Sequence, residues 1–281
     1  MDGLPDLITS RRNPVIRRVR ALHQGVGRKE LGLILLEGTH LLRESVQRHL
    51  MPELVLASDE WIHAHDALVS ALPEATRLQP ASAEVITHAA TTQHPDGVLS
   101  ILPIAALPAA SSQTMNFVLA LDRLQDPGNL GSLLRTALAA AVDQVWLGEG
   151  ADPLQPKVLR ASSGAALGLP LERMSGPALE RRSRTAQGHG MQVVATQPAF
   201  QARAMSGHEG ANVLPYWRVD WSLPTILLLG NEGAGLAPEL LALATTTVTI
   251  PHSAEVESLN VAAAATPLLL ERWRRRQERV A

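Results

Sequence analysis

Three polar segments of this 281-residue chain hold the residue types that do chemistry. The first is Asp126-Pro127-Gly128-Asn129, with Arg135 six residues past Asn129. Asp-Pro-Gly-Asn reads as a tight turn into a helix, with Asn129 as the expected N-cap. Arg135 would sit roughly 9 Å further along the axis at ~1.5 Å per residue. Helical side chains lean toward the N-terminus, so its guanidinium can return to a helix mouth whose free N–H groups favour an anion. The plain alternative is a capping Asn and a surface Arg. The second segment is Gly230-Asn231-Glu232-Gly233-Ala234-Gly235, where glycine lets backbone approach a ligand closely. It is neither a dinucleotide fingerprint nor a Walker loop, and an ordinary turn is the competing reading. The third is Ile250-Pro251-His252, followed by Ser258-Leu259-Asn260. Ser258 and Asn260 can serve simply as helix caps, and His252 reads first as structural.

These segments need a scaffold. In the second half, strands are expected at 117–121, 144–147, 167–171, 192–195, 226–229 and 247–250. Helices are expected at 129–141, 156–162, 177–188 and 238–243, with a long one at 258–278. Strand–helix alternation with apolar strands predicts a mostly parallel sheet covered on both faces. Each polar segment then falls at the carboxyl end of a strand, where open α/β sheets bind ligands. Residues 198–223 lack a pattern and read as a surface loop. Pro267 should kink the last helix. The first hundred residues predict a smaller α/β domain: helices at 15–23, 39–49 and 85–90, strands at 33–36, 53–57 and 97–102. Expected boundaries are a first domain at 1–103, a Pro/Ser-rich linker at 104–115 and a second domain at 116–281.

Composition narrows the chemistry. With 46% hydrophobic residues, the chain can bury a core. With no cysteine, it has no disulfide scaffold, thiolate-ligated metal or thiol nucleophile. The net charge of −2 hides a pattern. Residues 1–30 hold seven basic and three acidic groups, net +4, and residues 271–281 hold five and two, net +3. The stretch between carries −9. A basic N-terminal face, with Arg11, Arg12, Arg17 and Arg18, suits a polyanion; solvated helix faces are the simpler reading. No signal-peptide pattern or membrane-length apolar run is present, so a cytoplasmic protein is expected.

Together the three segments resemble the signature motifs of the SpoU/TrmH branch of the SPOUT RNA methyltransferases. DPGNLGSLLRTA is similar to the first motif, LLLGNEGAGL to the second and IPHSAEVESLNVAAA to the third, in order. The N-terminal part resembles the substrate-binding domain fused to many members, through ITSRRNPVIRRVRAL, LLEGTHLLRES and HPDGVLSILP. The resemblance spans nearly the whole chain.

It implies a C-terminal α/β domain tied in a deep trefoil knot, beside a smaller, ribosomal-protein-like α/β substrate-binding domain. Such knots are rare exceptions to unthreaded topology. It implies S-adenosylmethionine bound by Gly230, Asn231, Ile250 and Leu259, with no metal. It implies methyl transfer to a ribose 2′-hydroxyl of RNA, with Asn129, Arg135, Glu232, Ser258 and Asn260 as the catalytic set. RNA is the implied partner, ribosomal ahead of transfer RNA, contacted by Arg11, Arg12, Arg17 and Arg18. A homodimer is implied, its last helix at the interface. An arginine is too basic for a general base, so Arg135 is expected to bind the neighbouring phosphate and polarise the hydroxyl. The third motif departs from the family pattern at His252, Ala254, Glu255 and Ala262. That leaves a second expectation, an RNA-binding or ribosome-assembly factor with the pocket but little catalysis.

Overall fold

The computed structural model describes residues 5–110, 115–197 and 213–280, with the backbone alone at 279 and 280. The first elements are α1 (Pro14–Ala21), α2 (Gly25–Leu31), β1 (Leu33–Glu37), α3 (Thr39–Gln47), β2 (Leu54–Ala57), α4 (Asp59–Ala64), α5 (Asp66–Ser70), β3 (Arg77–Pro80), α6 (Ala83–Ala89) and β4 (Val98–Pro103). Then follow β5 (Phe117–Leu121), α7 (Pro127–Ala139), β6 (Gln144–Leu147), α8 (Pro156–Ala161), β7 (Leu171–Arg173), α9 (Gly176–Gly188), β8 (Gln192–Thr196), β9 (Val213–Pro215), β10 (Thr225–Leu229), α10 (Pro238–Leu241), β11 (Thr246–Thr249) and α11 (Val261–Val280).

The chain forms two compact units. The first runs to Pro108 and includes Asp152–Gly168; the second holds Ala109–Ala151 and Leu169 onward. Segment 152–168, which the sequence reading kept with the second domain, thus clusters with the first unit. Its Arg160 lies 3.0 Å from the carboxylate of Glu37 at the end of β1.

The first unit has four strands in the order β1-β4-β2-β3, antiparallel except for the β2–β3 pair. The spacing of Ile16 and Val19 on α1 buries both in one core with Leu35 of β1 and Val85 and Ile86 of α6. Asn13 starts α1 by accepting from the Val15 N–H, and Pro14 fills the first helical position. The sequence reading missed α2, α4, α5 and β3. Arg77–Pro80 has one apolar residue before its proline, so it shows no strand pattern.

The second unit is a seven-stranded sheet in the order β7-β6-β5-β10-β8-β11-β9, parallel at every described pairing. Phe117–Leu121 and Thr225–Leu229 are buried along their whole length, as central parallel strands are. Register then decides the site. Leu121 pairs with Leu229, Leu228 with Ala195, and Thr196 with Val248. The strands β5, β10, β8 and β11 therefore end nearly level, side by side. The three polar segments follow β5, β10 and β11, so this strand order brings them together.

Several expectations change here. The strand expected at 167–171 is a 3-10 turn over Ala165–Gly168, with β7 starting only at Leu171. The last helix begins at Val261, so Ser258 lies outside it, and Pro267 is inside it. Of the loop expected at 198–223, positions 198–212 fall outside the described residues; the remainder contains β9. Of the expected linker, 111–114 fall outside them as well, and Ile104–Ala106 form a 3-10 turn. Among the described residues, no helix is long and apolar enough to cross a membrane.

Candidate active site

Asp126, not Asn129, caps α7: its carboxylate accepts the Asn129 N–H at 2.7 Å. Pro127 takes the first helical position, where its missing N–H costs nothing, so the cap falls one residue before it. This correction frees the Asn129 side chain. Its Nδ2 donates to Glu232 at 3.1 Å, and its Oδ1 accepts from Asn260 Nδ2 at 2.8 Å. Asn260 in turn caps α11, its Oδ1 accepting from the N–H groups of Ala262 and Ala263 at 2.9 and 3.3 Å. One relay, Asn260–Asn129–Glu232, thus ties the three segments together.

The loop bearing Glu232 is fixed from below. Asn231 and Gly235 exchange both backbone hydrogen bonds at 3.0 Å, and Asn231 Oδ1 accepts from Gly233 and Ala234. Asn231 Nδ2 donates to the Arg123 carbonyl at 2.9 Å. A Cβ on Gly230 would come within 2.3 Å of Gly235 C and Leu236 N, so the loop closes only around glycine. Asp122, buried at the end of β5, accepts the Ala237 N–H at 2.8 Å and both arms of the Arg123 guanidinium at 2.9 and 3.0 Å. That pairing raises the Arg123 pKa above the ordinary arginine value. It also holds Arg123 at φ 54°, a left-handed conformation that costs a non-glycine residue on the order of 1–3 kcal/mol. Sequence reasoning did not single out Asp122 or Arg123. Their signal was position alone, the first polar residues after a buried strand.

A cavity of about 330 Å³ opens where the four strands end. Gly230, Asn231, Ile250 and Leu259 line it, as do Asn129, Glu232, Ser258 and Asn260. Arg135 is not among its lining residues and stands exposed on α7. Leu229, Val248 and Leu268 add apolar wall. Thr249 Oγ1 is buried in that lining with no hydrogen-bond partner among the described residues. The sequence reading missed Thr249, Thr196 and Gln197; Thr196 ends β8 and Gln197 follows it, and no motif announced the place of that strand between β10 and β11. His252 Nδ1 lies 2.8 Å from the Ile250 carbonyl. An apolar slot with a few convergent polar groups suits a ligand with one flat face and a polar end.

The predicted RNA-binding arginines stand on the first unit, all exposed. Arg11 pairs with Glu84 at 2.6 Å and Arg18 with Glu53 at 2.7 Å. Arg12 and Arg17 have no ion pair among the described residues.

A parallel α/β sheet with a ligand slot at its carboxyl ends defines the general class, a domain that binds a small cofactor beside a polar reaction centre. Comparison with known proteins sets the family. Residues 116–270 match the SpoU rRNA Methylase family, and residues 13–100 match the MRM3-like substrate binding domain. The chain belongs to the SpoU rRNA methylase family. It is 38% identical over 267 residues to an uncharacterized tRNA/rRNA methyltransferase of Synechocystis, covering 94% of this chain and 92% of that protein. It is 30% identical to the 23S rRNA (guanosine(2553)-2′-O)-methyltransferase RlmP of Bacillus subtilis, covering 93% and 97%. The AdoMet-bound rRNA methyltransferase of Sinorhizobium meliloti superposes with a TM-score of 0.78 at 29% identity, covering 96% and 97%.

Proposed function

We propose that this chain is a cytoplasmic, homodimeric enzyme. It transfers a methyl group from S-adenosylmethionine to a ribose 2′-hydroxyl of RNA, with ribosomal RNA as its substrate ahead of transfer RNA. The observation that carries the reading is the Asn260–Asn129–Glu232 relay on the wall of the cavity. Family membership and the similarity to a 23S rRNA 2′-O-methyltransferase over 97% of that protein support it.

The cavity fits the cofactor. Leu229, Ile250 and Leu259 give an apolar wall for a purine, and the unpartnered Thr249 Oγ1 offers a hydrogen bond to a sugar or amino-acid group. When bound, S-adenosylmethionine supplies an electrophilic methyl group on a sulfonium. The residues of the chain then have to orient the hydroxyl oxygen in line with that methyl, and such positioning supplies much of a methyl-transfer rate. Glu232 and Asn260 lock the Asn129 amide from both sides, so the amide presents a fixed face to the incoming ribose. Ser258 adds a hydroxyl on the same wall. Arg135, outside the cavity, holds the phosphate next to the target, the role a guanidinium's planar fork of donors suits. The first unit chooses the RNA through Arg11, Arg12, Arg17 and Arg18, which position phosphates without reading bases.

A second reading, an RNA-binding assembly factor with little catalysis, is favoured by one contact: His252 occupies the Ile250 carbonyl on the cavity wall. Two measurements on the full chain separate the readings. The enzyme shows a raised unfolding midpoint with S-adenosylmethionine and incorporates methyl label into RNA. Incorporation absent at saturating cofactor refutes the enzyme reading.

A further inference from the structure

The two residues after β5 stand outside the catalytic set and outside the lining of the cavity. Hydrogen bonds nevertheless tie them to both ends and the middle of the turn that carries Glu232. Asp122 is 2% exposed at its side chain. Its backbone N–H donates to the Leu229 carbonyl at 2.8 Å, where the turn begins. Its Oδ2 accepts the Ala237 N–H at 2.8 Å, where the turn ends. Between them, the Arg123 carbonyl accepts from Asn231 Nδ2 at 2.9 Å, and Arg123 Nη2 reaches the Gly235 carbonyl at 3.4 Å. Gly230, Asn231, Glu232 and Gly235 all line the cavity.

The bond to Asn231 depends on a strained backbone. Arg123 sits at φ 54°, a conformation that a non-glycine residue keeps only where its surroundings impose it. There its carbonyl meets Asn231, whose own Oδ1 folds the turn by accepting from Gly233 and Ala234 at 2.9 Å. The anchor is the guanidinium, whose Nε and Nη2 donate to the two oxygens of Asp122 at 3.0 and 2.9 Å. Such a two-armed, charge-assisted pair fixes direction as well as distance. From outside the cavity it therefore maintains the backbone that aims Asn231 and Glu232. Glu232 meets the Asn129 amide, at 3.1 Å, from that position.

We infer that Asp122 is a positioning residue for methyl transfer: by clamping Arg123 in its left-handed conformation, it sets the turn that receives the cofactor and orients Asn129 through Glu232. It acts through Arg123 and the turn, not by touching cofactor or RNA. The inference rests on the proposed RNA-methyltransferase reading. The test uses the full chain and three variants, well below their unfolding midpoints. It measures S-adenosylmethionine affinity by calorimetry, and kcat at saturating cofactor on ribosomal RNA from cells lacking the gene. Asp122→Asn keeps an acceptor for the Ala237 N–H but turns an amide N–H₂ toward the guanidinium. Arg123→Ala removes the guanidinium and leaves a residue strained at φ 54°. Both should lose about tenfold in cofactor affinity and about tenfold in kcat, the scale of one hydrogen bond to a charged group. Arg123→Gly also lacks the guanidinium, but glycine adopts a positive φ freely, so it should stay within about threefold of wild type in both. The Arg123 side chain is 38% exposed, so its two variants decide the matter where Asp122→Asn fails to fold. Wild-type affinity and kcat in Arg123→Ala, whatever its unfolding midpoint, overturn the inference. Arg123→Gly as impaired as Arg123→Ala overturns it too, because the guanidinium would then act other than through the backbone. No methyl transfer by wild type counts instead against the RNA-methyltransferase reading, and the cofactor titration still decides the positioning.

Discussion

Asn260 performs two tasks with two different atoms, so one substitution can separate them. Its Oδ1 caps α11 through the Ala262 and Ala263 N–H groups, and its Nδ2 donates to Asn129. Asn260→Asp keeps the capping oxygen, and aspartate caps about as well as asparagine. The other oxygen then faces Asn129 Oδ1 across what was a 2.8 Å hydrogen bond. Flipping the Asn129 amide gives its N–H₂ to residue 260 but turns its oxygen toward the Glu232 carboxylate, so either orientation leaves one oxygen–oxygen contact. The relay is exposed, so water serves the acceptor left over and the loss is that of one hydrogen bond, ~0.5–1.5 kcal/mol. At about 1.4 kcal/mol per decade, kcat/KM should fall roughly 2- to 10-fold. Asn260→Ala removes the cap as well, at about 1 kcal/mol. Its unfolding midpoint should therefore drop by roughly 2–4 °C more than that of Asn260→Asp. Initial rates of methyl transfer and thermal unfolding of both variants check this. Wild-type kcat/KM in Asn260→Asp would refute the relay, and equal midpoint losses in the two variants would refute the division of labour.

Gly230→Ala puts a Cβ 2.3 Å from backbone atoms of the same loop. At an overpacking cost of ~1–3 kcal/mol, cofactor affinity measured by calorimetry should fall about tenfold; unchanged affinity would show that the loop yields freely. Arg12→Ala and Arg17→Ala should weaken RNA binding and lower the slope of log Kd against log salt by about 0.7 for each lost contact to a single strand. Arg11→Ala and Arg18→Ala should do less, because Arg11 and Arg18 must first leave Glu84 and Glu53; equal effects at all four positions would contradict this ranking. The Arg274 hydrogen bond on α11 lowers the Glu271 pKa, against an opposing push from burial. A carboxyl depressed in the folded state adds stability above the ordinary carboxylate range, and that stability is lost as pH falls through the folded value. Wild type should therefore unfold at a higher temperature than Glu271→Gln at about pH 7, with the gap closing near about pH 3; a gap that persists in acid would rule out the ion pair as its source.

The residues of the site were more legible than its geometry. Asn129, Glu232 and Asn260 could be picked out because each stands just past a buried apolar run or opens an apolar helix. That they form one relay depends on β10 pairing with β5, a strand more than a hundred positions earlier, and no local pattern encodes that pairing. Asn129 was misread as a cap because Asp-Pro-Gly-Asn offers two capping residues, and Pro127 at the first helical position decides for Asp126. Arg77–Pro80 was missed because a parallel partner, β2, supplies the order that its own sequence does not. The grouping of Pro156–Ala161 with the first unit was invisible because it rests on long-range contacts, such as Arg160 with Glu37. Thr249 gave no sign in sequence, since an unsatisfied hydroxyl is a property of packing.

The central claim is ribose methylation through Asn129. The most direct test incubates ribosomal RNA from cells lacking this gene with S-adenosylmethionine and either wild-type or Asn129→Ala protein. Resistance to alkaline cleavage is then mapped along the RNA. The account predicts a new protected linkage with the wild type that is absent or strongly reduced with Asn129→Ala. Methyl label on a base with no protected linkage, or equal protection by the two proteins, would contradict it.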